Sequence, residues 1–230
     1  MKKLVLLASL IAIGLMLGCV SQNGATDSEN KILFTDILTN EQSAQLNAFE
    51  TVEYQILDDL EDACDLNEFK IIVFNGKTQI DPACLSQFKQ NNGKVIVIQN
   101  SGLYETTDYY NNKIKNYPAA IQGFVDCLTP PGQSEVCSDE SKEQINGQLI
   151  FQVSEHPIKE KENYQLNNLS VLAVQPGQFK AKSIAYIKNN SSPRTYIGII
   201  ENINGIYFNY DPFETPELLE KTFVYLANKS

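Results

Sequence analysis

Two residues in this chain have side chains suited to cleaving an ester or an amide. Ser101 lies in Gln99-Asn100-Ser101-Gly102, directly after an apolar run, and His156 is the one histidine among 230 residues. A serine becomes nucleophilic when a neighbouring base takes its proton and a third group orients that base. Glu155 or Asp211 could be that third group. A strand-to-helix elbow that presents a serine wants G-x-S-x-G, because small neighbours let the turn close. Gln99 and Leu103 stand where the two glycines belong. The alternative is a plain tight turn at Ser101 and a loop corner at His156-Pro157.

A second group consists of polar residues that end apolar runs. Asp36, Asn75, Lys77, Asn100 and Ser101, with His156, could line a crevice for a small molecule or a glycan. Open α/β sheets bind ligands outside the carboxyl ends of their strands. The same residues could instead satisfy backbone groups and caps. The acidic run Asp58, Asp59, Glu61, Asp62, Asp65 and Glu68 lacks the spacing and internal glycine of a calcium loop. It reads as a solvated face. No C-x-x-C, H-x-x-x-H or glycine-rich phosphate motif occurs, so neither a metal nor a cofactor is expected. Tyr104, Tyr109, Tyr110 and Tyr117 could make an aromatic platform for a sugar or a partner protein, or roof the sheet edge.

The elements that would position these groups alternate. Apolar runs over 31–36, 52–57, 70–76 and 94–99 read as strands. Unbroken runs suit parallel strands covered on both faces. Thr39 with Gln42 makes a capping box for a helix reaching 49. Asp81-Pro82 opens a second helix that ends at Asn92-Gly93. The acidic segment 58–68 has helical character on this reading, as does the tyrosine-rich segment 104–120. Strand, helix, strand, helix at this spacing means βαβ units and a parallel sheet with helices on both faces. Strands then follow over 148–153, 170–174, 182–187, 195–201 and 205–210. Asn204-Gly205 is a hairpin turn between the last two, and Pro216 starts a final helix to 227. The second half therefore adds antiparallel strands to a parallel core.

The amino terminus gives an address. The apolar segment from Leu4 to Leu17 suits a signal-peptide core and is short of the roughly 20 residues of a membrane span. Met16-Leu17-Gly18-Cys19 resembles a prokaryotic lipoprotein cleavage box, with Met16 where leucine is usual. That resemblance implies cleavage before Cys19, a lipid on its sulfur and a membrane-anchored chain facing the extracytoplasmic side. The competing reading is an uncleaved anchor helix. The expected layout is a signal peptide over 1–18, a flexible tether over 19–30 and one domain over 31–230. The formal charge is −10, and loss of Lys2 and Lys3 would make it −12. With no basic stripe, nucleic acid is excluded as a partner. Beyond Cys19 stand Cys64, Cys84, Cys127 and Cys137, an even number that suits disulfides in an exported chain. Three pairings are open. Cys64–Cys84 with Cys127–Cys137 closes the shortest loops.

Four stretches carry a resemblance. "FKIIVFNG", "DPACLSQFKQNNGKVIVIQNSG", "SEHPI" and "GIYFNYDPFETPELLEKTFVYLAN" resemble the class I glutamine amidotransferase-like superfamily, and within it the trehalose-utilisation-like and cell-surface members. The resemblance implies a flavodoxin-like three-layer sandwich from Lys31 onward. Catalytic members place a cysteine on the turn after the fourth core strand. Here that turn is Gln99-Asn100-Ser101-Gly102, without one. The resemblance thus implies a fold with its reactive residue absent. The expectation is a lipid-anchored binding or interaction module with a surface protein or glycan partner. A serine hydrolase using Ser101 and His156, and a small-molecule or glycan-binding protein, are the alternatives.

Overall fold

The computed structural model describes residues 31–60, 64–101, 104–107, 113–116, 124–127, 142–177 and 180–229. In chain order the strands are β1 (Lys31–Phe34), β2 (Glu53–Ile56), β3 (Ile71–Phe74), β4 (Lys94–Ile98), β5 (Tyr104–Thr107), β6 (Lys113–Asn116), β7 (Val125–Cys127), β8 (Glu143–Phe151), β9 (Asn163–Val171), β10 (Val174–Pro176), β11 (Lys182–Asn189), β12 (Thr195–Asn202) and β13 (Gly205–Phe208). The helices are α1 (Asn40–Asn47), α2 (Pro82–Gln90) and α3 (Pro216–Ala227).

Nine strands form one sheet in the order β2-β1-β3-β4-β13-β12-β11-β8-β9. The first five are parallel, and every later junction is antiparallel. The parallel half has the doubly wound 2-1-3-4-5 order. Each residue of β3, β4 and β13 is buried, as strands covered on both faces require. One core holds Ile32, Phe34, Ile96, Ile206 and Phe208 against Leu46 of α1 and Leu218, Phe223 and Leu226 of α3. The other holds Ile72, Val95, Val97 and Tyr207 against Leu85 and Phe88 of α2, with Phe124, Leu172 and Val174 beside them. The result is a mixed α/β three-layer sandwich.

The helix starts follow the sequence. The Thr39 hydroxyl accepts from the Gln42 N–H at 3.1 Å while the Thr39 N–H donates to the Gln42 carboxamide at 3.0 Å. Asp81 accepts from the N–H groups of Ala83 and Cys84, with Pro82 at the first turn. The Cys64–Cys84 disulfide is present, with Cα atoms 5.3 Å apart. It ties the segment after β2 to α2. Replacing both cysteines by serine should cost about 3 kcal/mol, on loop-closure entropy for a separation of 20 residues. Denaturant unfolding of oxidised and variant protein reads that difference. Cys137 and the Cys127 side chain lie outside the described residues, as do Cys19, Gly102, Leu103, Tyr109, Tyr110, Tyr117 and the segments 1–18 and 19–30.

Four expectations need correction. The acidic segment is a short 3-10 turn over Leu57–Asp59, and no α-helix follows among the described residues 64–69. Its anchors Leu57, Leu66 and Phe69 are spaced to pin turns onto the second core, not to form one helical stripe. The described parts of 104–120 form an antiparallel pair, Tyr104 opposite Asn116. Strand β9 starts at Asn163, well before 170, and its chain runs on to β10, which pairs with β7. The last hairpin turns on Ile203-Asn204, because Asn202 pairs with Gly205. The Asn202 carboxamide accepts from the N–H groups of Asn204 and Gly205 at 2.8 and 3.2 Å and so closes that turn.

Candidate functional site

A doubly wound sheet opens a crevice where successive connections leave in opposite directions, here between the carboxyl ends of β1 and β3. Asp36 follows β1 and Asn75 follows β3. The Asn75 carboxamide accepts from the Asp36 N–H and donates to the Asp36 carbonyl, both at 3.0 Å. It thereby adds one more rung to the β1–β3 ladder. The Asp36 carboxylate accepts from the Thr78 N–H at 3.0 Å, the Thr78 hydroxyl at 2.8 Å and the Thr35 hydroxyl at 3.1 Å. Both of its oxygens are engaged. The chain passes so close that a Cβ on Gly76 would lie 2.3 Å from the Asp36 Cγ. Lys77 is exposed beside this staple. At the switch point the polar residues thus tie two strand ends together.

The turn after β4 departs from the sequence reading. Its sharp position is Gln99, with φ +52°, a conformation that costs strain in any residue with a Cβ. Ser101 comes two residues later, is buried, and donates its N–H to the Ile98 carbonyl at 3.0 Å. The Gln99 N–H donates to the Phe208 carbonyl at 2.7 Å. Its side-chain amide donates to the carbonyls of Ser170, at 2.5 Å, and Asn209, at 3.4 Å. The N–H groups of a primary carboxamide are not acidic near neutral pH and its nitrogen lone pair is delocalised into the carbonyl, so it is a poor proton carrier and a poor nucleophile, and here it is held by two backbone acceptors. Asn100 is half-buried in the same turn.

Beneath the elbow lies Asn209, fully buried and missed by the sequence reading. Its amide donates to the carbonyls of Leu172 and Ile197, each at 2.8 Å. Its oxygen accepts from the Leu172 N–H at 3.0 Å and the Tyr207 hydroxyl at 3.3 Å. All of the carboxamide's bonding capacity is used. The signal available in the sequence was one amide inside the apolar run Ile206-Tyr-Phe-Asn-Tyr210.

His156 is elsewhere. Its Nδ1 accepts from the Ile158 N–H at 3.4 Å, which assigns the proton to Nε2. Nε2 faces the Glu201 carboxylate at 3.3 Å, and the ring meets Tyr225 edge-on at 5.5 Å between centroids. Glu201 pairs with Ile206, near the amino end of β13, and Ile206 pairs with Ile96 of β4. Ser101 lies past the opposite, carboxyl end of β4. The two proposed partners therefore belong to different ends of the sheet, and both nitrogens of the imidazole are engaged. Glu155 is exposed, and Asp211 caps a short turn by accepting from the Phe213 N–H at 3.1 Å.

Glu201 also accepts from the Tyr225 hydroxyl at 2.5 Å and Lys229 Nζ at 2.6 Å. Burial raises its pKa, but the bonds from His156, Lys229 and Tyr225 together outweigh that and hold it at about 2. A folded value below the unfolded one means stability that is complete above about pH 4.5 and is lost as pH falls toward 2. Solvent reaches this half-buried carboxylate and screens its partners, so the contribution is on the order of 1 to 2 kcal/mol. Acid unfolding of the native chain should accordingly be steeper across that window than that of Glu201→Gln, read by circular dichroism. An identical acid limb would show that Glu201 makes no such contribution. Among the described residues no group of three or more His, Cys, Asp or Glu side chains could hold a metal ion.

No protein-family profile matches this chain, and no curated protein matches it. Solved structures do match. The α-L-fucosidase isoenzyme 2 of Paenibacillus thiaminolyticus aligns over 87% of this chain at 11% identity and TM-score 0.55. This chain spans only 33% of that enzyme. A cytoplasmic protein of Salmonella typhimurium LT2 aligns over 87% of this chain and 99% of its own length, at 13% identity and TM-score 0.52. A ThuA-like protein of Parabacteroides merdae aligns over 86% of this chain and 89% of its own, at 11% identity and TM-score 0.47. Glutamine amidotransferases are among the further matches. At such identities the likeness shows a shared fold, the α/β sandwich that the sequence implied, and nothing of activity.

Proposed function

We propose that this protein is a non-catalytic binding or interaction module, anchored by a lipid on Cys19 to the extracytoplasmic face of a membrane. The observation that carries the reading is Gln99. It holds the strained elbow position where a nucleophile would stand, and its side chain is bonded to the backbone of β9 and of the residue after β13. The stapled Asp36–Asn75 switch point supports the same reading, because its polar groups are already bonded to one another and to Thr78. His156 supports it too, since its ring is bonded at both nitrogens away from Ser101.

The anchoring half rests on the Met16-Leu-Gly-Cys19 box and the polar stretch behind it. Among the described residues no helix is long and apolar enough to cross a membrane. A single lipid chain holds a protein only marginally, so stable anchoring on Cys19 takes more than one chain. Expression in a bacterial host tests this half. The native chain should fractionate with membranes and show a lipid-modified Cys19 by mass spectrometry. Cys19→Ala should not be processed at that site. Unmodified Cys19 in mature protein would contradict the anchor. The partner is a surface protein on this reading. Crosslinking on intact cells should capture it with native protein and lose it when the exposed faces of the folded domain are altered.

A further inference from the structure

The opposite end of the sheet holds a cavity of about 360 Å³ that the module reading does not use. It lies where α2 ends, α3 ends and the chain enters β3. Leu66, Phe69, Phe88 and Leu226 give it apolar walls, and Asn91, Asn92, Lys70 and Lys229 give it a polar rim. Its size falls within the range of small-molecule sites, and an apolar body with a few convergent polar groups is their usual make-up.

We propose that this cavity binds a small organic acid, with the apolar body against Phe69 and Phe88 and the carboxylate at the Lys70–Lys229 rim. Among the described residues that line the cavity there is no Asp or Glu. Lysines gather around it although the chain as a whole carries −10. Lys70 and Lys229 line it, Lys31 Nζ sits 5.1 Å from the Phe69 ring centre, and buried Lys94 begins the adjacent strand. The carboxylates that touch these ammoniums are Glu68, 2.5 Å from Lys31, and Glu201, 2.6 Å from Lys229. Lys94 feels both its burial and the charge of Lys229, which lower its pKa. Burial opposes the charge on Lys229, but its bond to Glu201 outweighs that and raises its pKa, so the rim keeps this ammonium. The rim side chains of Lys70, Asn91 and Asn92 are exposed, so this end of the cavity is accessible.

Calorimetric titration of the purified full chain with 3-phenylpropionate, 3-phenylpropanol and 3-phenylpropylamine tests the proposal. The carboxylate should bind with Kd about 1 mM or tighter, at least about tenfold tighter than the alcohol, and the amine more weakly still. Lys70→Gln, at an exposed position, should weaken the carboxylate about tenfold and leave the alcohol unchanged. Asn67→Trp, at an exposed residue that also lines the cavity, should abolish binding of both. Equal affinity for acid and alcohol, no measurable binding of the acid, or an acid affinity unchanged by Lys70→Gln would each overturn it. None of these results bears on Gln99 or Cys19, so the module reading stands or falls separately.

Discussion

Replacing Asn209 by leucine is expected to destabilise the fold by about 3 to 5 kcal/mol, seen as a fall in Tm of about 10 °C or more. The side chains are similar in volume, so the loss reports hydrogen bonding and not a cavity. Leucine would strip partners from the Leu172 N–H and from the Leu172 and Ile197 carbonyls, at a site with no exposed surface. An unsatisfied buried backbone group costs about 1 to 3 kcal/mol. The effect should also reach the elbow, because Gln99 rests on the carbonyl of the same residue. Thermal unfolding followed by circular dichroism measures it. A change below about 1 kcal/mol would mean that these groups find other partners and that Asn209 does not hold β9, β12 and β13 together.

Gly205→Ala should do still more. This glycine has φ +156° and sits where β13 crosses onto β4, and a Cβ there would lie 1.8 Å from the Val95 carbonyl oxygen. That neighbour is backbone, paired in the parallel ladder between β4 and β13, the strand through which β12 and the antiparallel half attach. It cannot swing aside as a side chain could. The Val95 N–H is also bonded to the Asn204 carbonyl at 2.9 Å, so moving β13 away breaks that contact as well. The expected cost is on the order of 4 kcal/mol or more, the range of mutations with a severe, nameable mechanism. Soluble yield and denaturant unfolding read it. A variant that expresses normally and unfolds within about 1 kcal/mol of native would show that β13 and β4 can separate without loss.

The sequence announces its parallel half because each signal there is local. Four-residue apolar runs, the Thr39–Gln42 box and the Asp81-Pro82 start each fix their own element. The errors arise where tertiary contacts decide. Strand β9 begins with alternating polar residues that make sense only beside β8. The acidic segment is pinned by Leu57, Leu66 and Phe69 against a core that no window of sequence displays. The elbow illustrates the same limit at the level of the site. Serine drew attention because it carries chemistry, yet the strained backbone position belongs to Gln99, two residues earlier. Nor does spacing reveal that His156 and Ser101 serve opposite ends of a sheet. That follows from the register of β12 on β13 and of β13 on β4. Asn209 and Glu201 escaped notice because a buried amide and a half-buried acid acquire meaning only from the partners the fold brings to them.

The absence of serine chemistry at the elbow is open to one direct measurement. The purified full chain is treated with a fluorophosphonate, which forms a covalent bond to activated serines, and the modified residue is located by mass spectrometry. An elbow held by Gln99, with His156 bonded to Glu201, should leave Ser101 unlabelled, and Ser101→Ala should be indistinguishable from native. Stoichiometric labelling of Ser101 that disappears in His156→Ala would contradict the account and make this protein a hydrolase.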